Sequence, residues 1–274
     1  MRNKLSLLIT ALLLASCWEG NRNTNGEQSA EDGDSAVQAE VLTFSKTGFS
    51  KKGKVLDTER PNYTIDIEVR YAEGKSQAAE LINGRLTTFL FGKSGMPLEE
   101  AKRVFADSLC QEYEKELKEF YDPDNEYQDS YEYEYTLKGR LADSAAEGVI
   151  AYISRTEMYT GGAHGGAMES YINFWKDSGK MITAKAFFGK NEKAVLKLIK
   201  AKIIRENECE TEDELIEKRG IFSLGDVYIS DSNFLLEKDG VLFCYNPYEI
   251  APWSEGFIFA RLSYEELKGL IKEL

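Results

Sequence analysis

Two long amphipathic patterns stand between segments of alternating residues, and this order limits the possible folds more than any other feature of the chain. Residues 63–71 alternate apolar and polar side chains, as a strand with one buried face does. Ser76 then provides an N-cap for a first helix that Gly92 ends, and Pro97 begins a second helix. Alternation returns at residues 131–137. Helices grouped between strands indicate the α+β class.

The second half of the chain repeats this grouping. Asp239-Gly240 is the dipeptide of a tight hairpin turn, and both Thr211 with Glu214 and Ser263 with Glu266 have the spacing of a helix capping box. We therefore predict an α+β fold with two packed lobes, each composed of antiparallel strands with helices on one side. The elements predicted here are strands at residues 149–159, 168–175 and 257–262, and helices that begin after Phe188, Thr211 and Ser263.

The N-terminus has the pattern of a bacterial lipoprotein signal. Arg2 and Lys4 precede a mostly apolar stretch, and residues 14–17 read Leu-Ala-Ser-Cys, a small-residue cleavage box before a cysteine. Cys17 is therefore the predicted lipidation site, and the expected location is the cell envelope. There the protein would be lipid-anchored to the outer or the cytoplasmic membrane and would face the periplasm or the exterior.

This assignment divides the chain into four parts. Residues 1–16 are the predicted signal peptide, and residues 17–40 are the lipidated cysteine with a polar tether, which has too few apolar side chains to fold alone. Residues 41–165 are predicted to form an N-terminal α+β domain, and residues 166–274 a C-terminal α+β domain.

The net charge excludes some partners and favours others. The chain carries −13 at pH 7, and loss of Arg2 and Lys4 with the signal would bring it to −15. Such a surface repels nucleic acid and anionic lipid, so contact with the membrane is expected through the lipid anchor only. A cationic protein or an uncharged glycan is the expected partner.

The cysteines and acidic loops indicate no metal site or cofactor. Cys110, Cys209 and Cys244 lie far apart in sequence and have no cysteine or histidine at metal-ligand spacing. One disulfide among them is one alternative, and three buried thiols are the other. The acidic stretch 122–126 resembles a calcium loop but has Tyr127 where that loop needs glycine, so a solvated loop is expected.

Residues 159–166 contain the single histidine of the chain among glycines. Gly161, Gly162 and Gly165 permit backbone conformations that other residues rarely adopt, and they place His164 on an unusual turn. Two interpretations remain open: a turn between strands whose histidine packs locally, or a histidine presented for recognition or catalysis.

Residues 243–256 form a second unusual segment, in which two prolines separate aromatic side chains. Glu249 lies between Tyr248 and Ile250, so we expect it to point inward and to need a partner. Tyr248 and Trp253 are suited to a binding edge for carbohydrate or protein, although a structural corner between core strands explains the same residues.

Together the two segments resemble a known family. The matching residues are Thr-Gly-Gly-Ala-His-Gly at 160–165, Gly179-Lys180, Phe-Phe-Gly at 187–189, Asn-Pro-Tyr-Glu-Ile-Ala-Pro at 246–252, and Gly256. They are similar to the domain of unknown function 3298, which occurs in the anti-sigma factor RsiV and beside the catalytic domain of the deacetylase PdaC. Residues up to about 165 look like its companion, domain of unknown function 4163. The resemblance implies an envelope-exposed module, which binds lysozyme in the anti-sigma relative.

Two functions remain. The first is a non-enzymatic, lipid-anchored binding module for a protein or glycan ligand, with no catalytic residue, metal or cofactor assigned. The alternative is a cell-wall or glycan hydrolase that uses His164 with Glu249 or another carboxylate. We expect the two unusual segments to meet, with Tyr248 and Trp253 at the same edge and with His164 bonded to Glu249 or to a backbone carbonyl. A buried histidine would favour the structural interpretation, and a histidine that shares an open cleft with a carboxylate would favour the hydrolase.

Overall fold

The structure is a computed structural model that describes residues 42–54 and 62–274. The predicted signal peptide, Cys17 and the tether at 17–40 lie outside these residues. Within the part of the chain that is described, no helix combines the length and the apolar character needed to cross a membrane.

The first half of the described chain forms a five-stranded sheet and two long helices. The chain order of the sheet is also its spatial order, from β1 at one edge to β5 at the other. The elements are β1 (Phe44–Lys54), β2 (Asn62–Ala72), α1 (Gln77–Phe91), α2 (Leu98–Phe120), β3 (Tyr133–Leu141), β4 (Val149–Tyr159) and β5 (Gly166–Trp175).

The predicted α+β class and two-lobed arrangement are confirmed, but one strand pair differs from the expected antiparallel pairing. β2 and β3 are parallel, with Tyr63 opposite Tyr133 and Val69 opposite Gly139. The other neighbours in this sheet are antiparallel. The helices α1 and α2 connect β2 to β3. They return the chain to the end of the sheet where β2 began, as a parallel connection requires.

The helix signals that were read from the sequence are present in α1. The Ser76 hydroxyl accepts a hydrogen bond from the Ala79 amide at 3.3 Å, and Gly92 ends the helix with φ at +65°. α1 and α2 cover one face of the sheet and bury its apolar side chains with their own. This core includes Ile65, Ile67, Val69, Ile82, Leu86, Leu117, Leu137, Tyr152 and Phe174.

The rest of the chain forms the second lobe, around a three-stranded sheet with the order β6-β7-β8. The predicted hairpin at Asp239-Gly240 joins β6 to β7, and Thr211 caps a helix as expected by accepting from the Glu214 amide at 3.2 Å. The elements are α3 (Ala184–Phe188), α4 (Glu192–Glu206), α5 (Glu212–Arg219), β6 (Phe234–Glu237), β7 (Gly240–Tyr245) and β8 (Ile258–Ser263).

The helix predicted after Ser263 does not form. Ser263 and Glu266 make both hydrogen bonds of a capping box, at 2.8 and 3.2 Å. The chain nevertheless continues as successive turns. Gly269, with φ at +74°, interrupts the helical backbone after the first turns, so the local start signal is not followed by a helix.

The strands β4 and β5 belong to both hydrophobic cores. Ile150, Tyr152, Ile172 and Phe174 face the helices α1 and α2, whereas the alternate residues face the second lobe. β5, which begins after the predicted domain boundary at residue 165, is paired with β4 along its whole length. The residues on the second-lobe side are Val149, Ala151, Ile153 and Tyr171.

Candidate binding site

The turn between β4 and β5 is held in a conformation that requires glycine. Gly161 has φ at +81°, and a side chain there would collide with the carbonyl oxygen of Ser130. The Tyr159 hydroxyl donates to the carbonyl oxygen of Gly162 at 3.1 Å. The His164 Nδ1 donates to the carbonyl oxygen of Gly165 at 2.9 Å, which leaves Nε2 as an acceptor. The turn therefore presents His164 at the surface in a defined orientation.

The second unusual segment follows β7. Tyr248 has φ at +74°, a left-handed conformation that costs free energy for a residue other than glycine. Its amide donates to the carbonyl oxygen of Ala251 at 2.9 Å, and Ile250 and Ala251 are buried. The segment then continues into the short 3₁₀ helix Trp253–Glu255. The buried residues secure the segment, while the Tyr248 and Trp253 side chains are 60% and 41% exposed.

The structure brings His164, Tyr248 and Trp253 together. The His164 ring stacks on the Trp253 ring with centroids 4.3 Å apart and planes inclined by 21°. The Tyr248 hydroxyl lies 3.4 Å from His164 Nε2. These three side chains form a continuous aromatic rim, composed of two segments that are more than 80 residues apart in sequence.

Glu249 does not contact His164; of the two expected partners of the histidine, the backbone carbonyl is present, at Gly165, and the carboxylate is not. The expected burial of His164 is wrong. His164 is exposed. Both Glu249 carboxylate oxygens accept hydrogen bonds from Asn246, one from its amide at 2.8 Å and one from Nδ2 at 3.1 Å. The inward-pointing Glu249 did need a partner, but a residue three positions earlier in the same segment supplies it.

A shallow groove of about 260 Å³ lies beside the aromatic rim. Its floor is the end of the five-stranded sheet where β3 begins and β4 ends, and Trp253 forms one wall. Glu134 is exposed there and has no ion-pair partner among the described residues, whereas Glu157 pairs with Arg155 at 3.1 Å. The groove is lined by Glu134, Thr136, Glu157, Met158, Tyr159, Gly165, Gly166, Ala167 and Trp253.

A half-buried polar cluster adjoins the groove through the Arg155–Glu157 pair, and sequence reasoning missed it. The Glu169 side chain, 16% exposed, accepts from the Tyr171 hydroxyl at 2.5 Å and pairs with Arg155 at 3.4 Å. The Arg155 guanidinium also lies 4.5 Å from the centre of the Phe257 ring. Strand pairing creates this cluster, because Arg155 and Glu169 are opposite residues of β4 and β5. No local pattern in the sequence indicates that pairing.

The cysteines and acidic residues of the described chain form no metal site. Residues 42–54 and 62–274 contain no group of three or more histidine, cysteine or acidic side chains placed to hold an ion. Cys110, Cys209 and Cys244 are buried and unpaired. Burial, followed by the nearby Glu169 charge, raises the pKa of the Cys244 thiol to about 12, so this thiol is protonated and unreactive at neutral pH.

Residues 185–265 match a family model described as a protein of unknown function, DUF3298. This region forms a DUF3298 domain. It contains Tyr248, Glu249 and Trp253, whereas His164 and the floor of the groove precede it in the chain. The candidate site is therefore assembled from the DUF3298 domain and from the five-stranded sheet before it.

Two solved structures that resemble this chain are described as DUF3298 family proteins. A family member from Bacteroides fragilis has 21% identity and a TM-score of 0.75, and the alignment covers 86% of this chain and 95% of that one. A family protein from Pseudomonas aeruginosa has 15% identity and a TM-score of 0.55, with 84% and 95% covered. No curated protein matches the chain. These likenesses concern the fold.

Proposed function

We propose that this protein is a non-enzymatic binding module of the cell envelope, anchored by a lipid on Cys17, and that the groove beside Trp253 holds a protein ligand. The observation that carries the proposal is the combination of a fixed, exposed aromatic rim with a carboxylate-lined floor. Residues 41–165 would be the companion domain 4163 that the sequence resembles, and they would contribute the floor.

The rim has the properties of a recognition surface. Tyr248 and Trp253 are large and exposed, yet the backbone that carries them is fixed by buried neighbours and by the hydrogen bonds of the Asn246–Glu249 pair. Rigid aromatic side chains provide contact area with little loss of conformational entropy when a ligand binds. Such residues dominate the free energy of binding at many interfaces.

The charge of the groove favours a cationic ligand. Glu134 has no ion-pair partner among the described residues, and Trp253 stands at the same groove. A lysine or arginine side chain of a partner could therefore contact both a carboxylate and an aromatic face. The overall charge of −15 expected for the mature chain would accelerate the encounter with a basic protein such as a lysozyme.

The hydrolase alternative receives less support from the geometry. Acid–base catalysis by His164 would need a carboxylate within hydrogen-bonding distance. In the described chain, His164 instead contacts the Gly165 carbonyl and the Tyr248 hydroxyl. The Glu249 carboxylate accepts its hydrogen bond from Asn246. Whether the groove binds a glycan instead of a protein is decided by the binding experiments below.

The proposed lipid anchor on Cys17 is tested separately from the groove. Cys17→Ala should abolish incorporation of a labelled acyl chain, and normal labelling of this variant would contradict the anchor.

Calorimetric titration of the full chain with lysozyme tests the binding function. The double variant Glu134→Gln/Glu157→Gln should raise Kd by about tenfold or more, because two carboxylates of the groove are neutralised. The matched control is Glu112→Gln/Glu119→Gln on the exposed side of α2, which changes net charge equally and should have little effect. An equal rise in Kd for both double variants would show that binding depends on the net charge of the protein and not on the groove.

Titration with chitooligosaccharides and peptidoglycan fragments distinguishes the other ligands. Binding of a neutral glycan that is unchanged by the groove variants, together with no lysozyme binding, would overturn the cationic-ligand proposal. Release of shorter glycans from these substrates would overturn the non-enzymatic assignment.

A further inference from the structure

We infer that Asn246 is the positioning residue of the groove: its single amide side chain fastens the Tyr248–Trp253 segment to the edge of β5. The inference rests on the proposed function, because it explains how the rim of the binding groove is held in place. Asn246 itself is half-buried behind the rim and has no place in the groove lining.

The first half of the fastening lies within the segment. The backbone amide and Nδ2 of Asn246 donate to the two oxygens of Glu249, and the Glu249 amide donates back to the Asn246 carbonyl at 3.0 Å. The turn is therefore closed by three hydrogen bonds between the same two residues. Two of them have an ionised acceptor, which makes them stronger than hydrogen bonds between neutral groups.

The second half joins the segment to the five-stranded sheet. Asn246 Oδ1 accepts from the backbone amide of Glu169 at 2.7 Å, across 77 residues of sequence. β5 is an edge strand, so this amide would otherwise lack a partner in the sheet. Two residues further, the Tyr171 amide donates to the Ser232 carbonyl at 2.8 Å, which continues the attachment of the second lobe to the same edge.

This fastening offsets strain at the rim. Tyr248 keeps its left-handed backbone only while the residues on both sides are held. Asn246 holds the start of the turn, and the buried pair Ile250 and Ala251 holds its end. If the hydrogen bonds of Asn246 are lost, Tyr248 can relax to an extended conformation. The position of Trp253 is then no longer fixed, and its stack on His164 is weakened.

Only asparagine satisfies all of these contacts. Oδ1 must accept from Glu169 while Nδ2 donates to Glu249, so the side chain needs one acceptor and one donor at this length. Aspartate would retain the acceptor but would place a second negative charge against Glu249. Alanine would remove both contacts.

The chain has one histidine, so proton NMR of the full chain, prepared without a histidine tag, gives one imidazole Hε1 signal, which belongs to His164. The Trp253 ring, stacked at 4.3 Å, displaces this signal by its ring current. Trp253→Ala supplies the unstacked reference. Asn246→Ala and Asn246→Asp should move the His164 signal toward that reference, and should accelerate hydrogen exchange at the Glu169 amide by about tenfold or more, as expected for one lost hydrogen bond.

The matched control is Asn191→Ala. Asn191 Nδ2 also bridges distant parts of the chain, since it donates to the Leu270 carbonyl at 3.2 Å, but it contacts neither segment of the rim. This variant should leave the His164 signal and the Glu169 exchange rate unchanged. If Asn246→Ala does not fold, Glu249→Gln supplies the test, with a smaller displacement in the same direction.

Identical His164 signals and Glu169 exchange rates in Asn246→Ala and in the control would overturn the positioning role. The NMR and exchange measurements need no ligand, so they are separate from the proposed function. A displaced His164 signal in a protein that binds no lysozyme would retain the positioning role and reject the ligand. Where lysozyme binds, its Kd should rise with Asn246→Ala and stay constant with the control.

Discussion

The two faces of the five-stranded sheet are covered in different ways. On one face, α1 and α2 bury apolar residues from β2 across to β5, and the face has the regular alternation of a packed core. On the other face, the second lobe covers the first half of β4 and the last half of β5. On that same face, β2 and β3 have exposed charged side chains such as Asp66 and Lys138. The groove lies where this cover ends. Stability is therefore expected to depend most on the first face and on the covered part of the second, and binding on the uncovered part of the second.

Leu86→Ala on α1 should produce the largest loss of stability among the variants considered in this comparison. Leu86 is fully buried against the sheet, and removal of its side chain loses apolar burial and leaves a cavity. The expected decrease in the free energy of unfolding is about 2–5 kcal/mol. Urea unfolding measures it, and a decrease below about 1 kcal/mol would show that this face is not a tightly packed core.

Asn173→Ala should have an intermediate effect on the free energy of unfolding. It removes a side chain that hydrogen-bonds the covered part of the second face to the backbone of β6. Asn173 is completely buried, donates to the Phe234 carbonyl at 2.9 Å and accepts from the Leu236 amide at 3.0 Å. The variant leaves both backbone groups of β6 without these partners, so about 1–3 kcal/mol should be lost. A stability equal to that of the unchanged chain would mean that the two sheets do not depend on this amide.

His164→Ala should have the smallest effect on stability and a clear effect on binding. The side chain is exposed, so the free energy of unfolding should change by no more than about 0.5 kcal/mol. Loss of its stack on Trp253 should weaken lysozyme binding by about fivefold, equivalent to about 1 kcal/mol. A loss of 1–3 kcal/mol in stability, which would fit a histidine buried beside a carboxylate, would contradict the exposed position.

Local signals account for most of the first face. The alternation in β2, the Ser76 cap and Gly92 follow from side-chain periodicity and backbone preference, which act over a few residues, and the structure has these features. The parallel pairing of β2 with β3 was not predictable in this way, because it depends on the path of two intervening helices. The helix expected after Ser263 shows the opposite limit, since a complete capping box is followed by turns.

The candidate site was predictable only in part. Its glycine and proline content singled out the segments with His164, Tyr248 and Trp253, because unusual backbone conformations need unusual residues. Glu134 and Glu157 were not identified, since their proximity results from the register of β3 and β4. The partner of Glu249 was also missed. Asn246, and not His164, donates to the Glu249 carboxylate. Asn246 is the nearer residue along the chain, but composition alone does not show which of the two donates.

The central claim is that a ligand binds at the groove, beside the aromatic rim. The most direct test follows the His164 Hε1 NMR signal of the full chain during titration with lysozyme. We predict a saturable displacement of the His164 signal whose midpoint equals the Kd from calorimetry, and a much weaker response in Glu134→Gln/Glu157→Gln. Lysozyme binding by calorimetry with an unmoved His164 signal would contradict the claim and place the binding surface elsewhere on the protein.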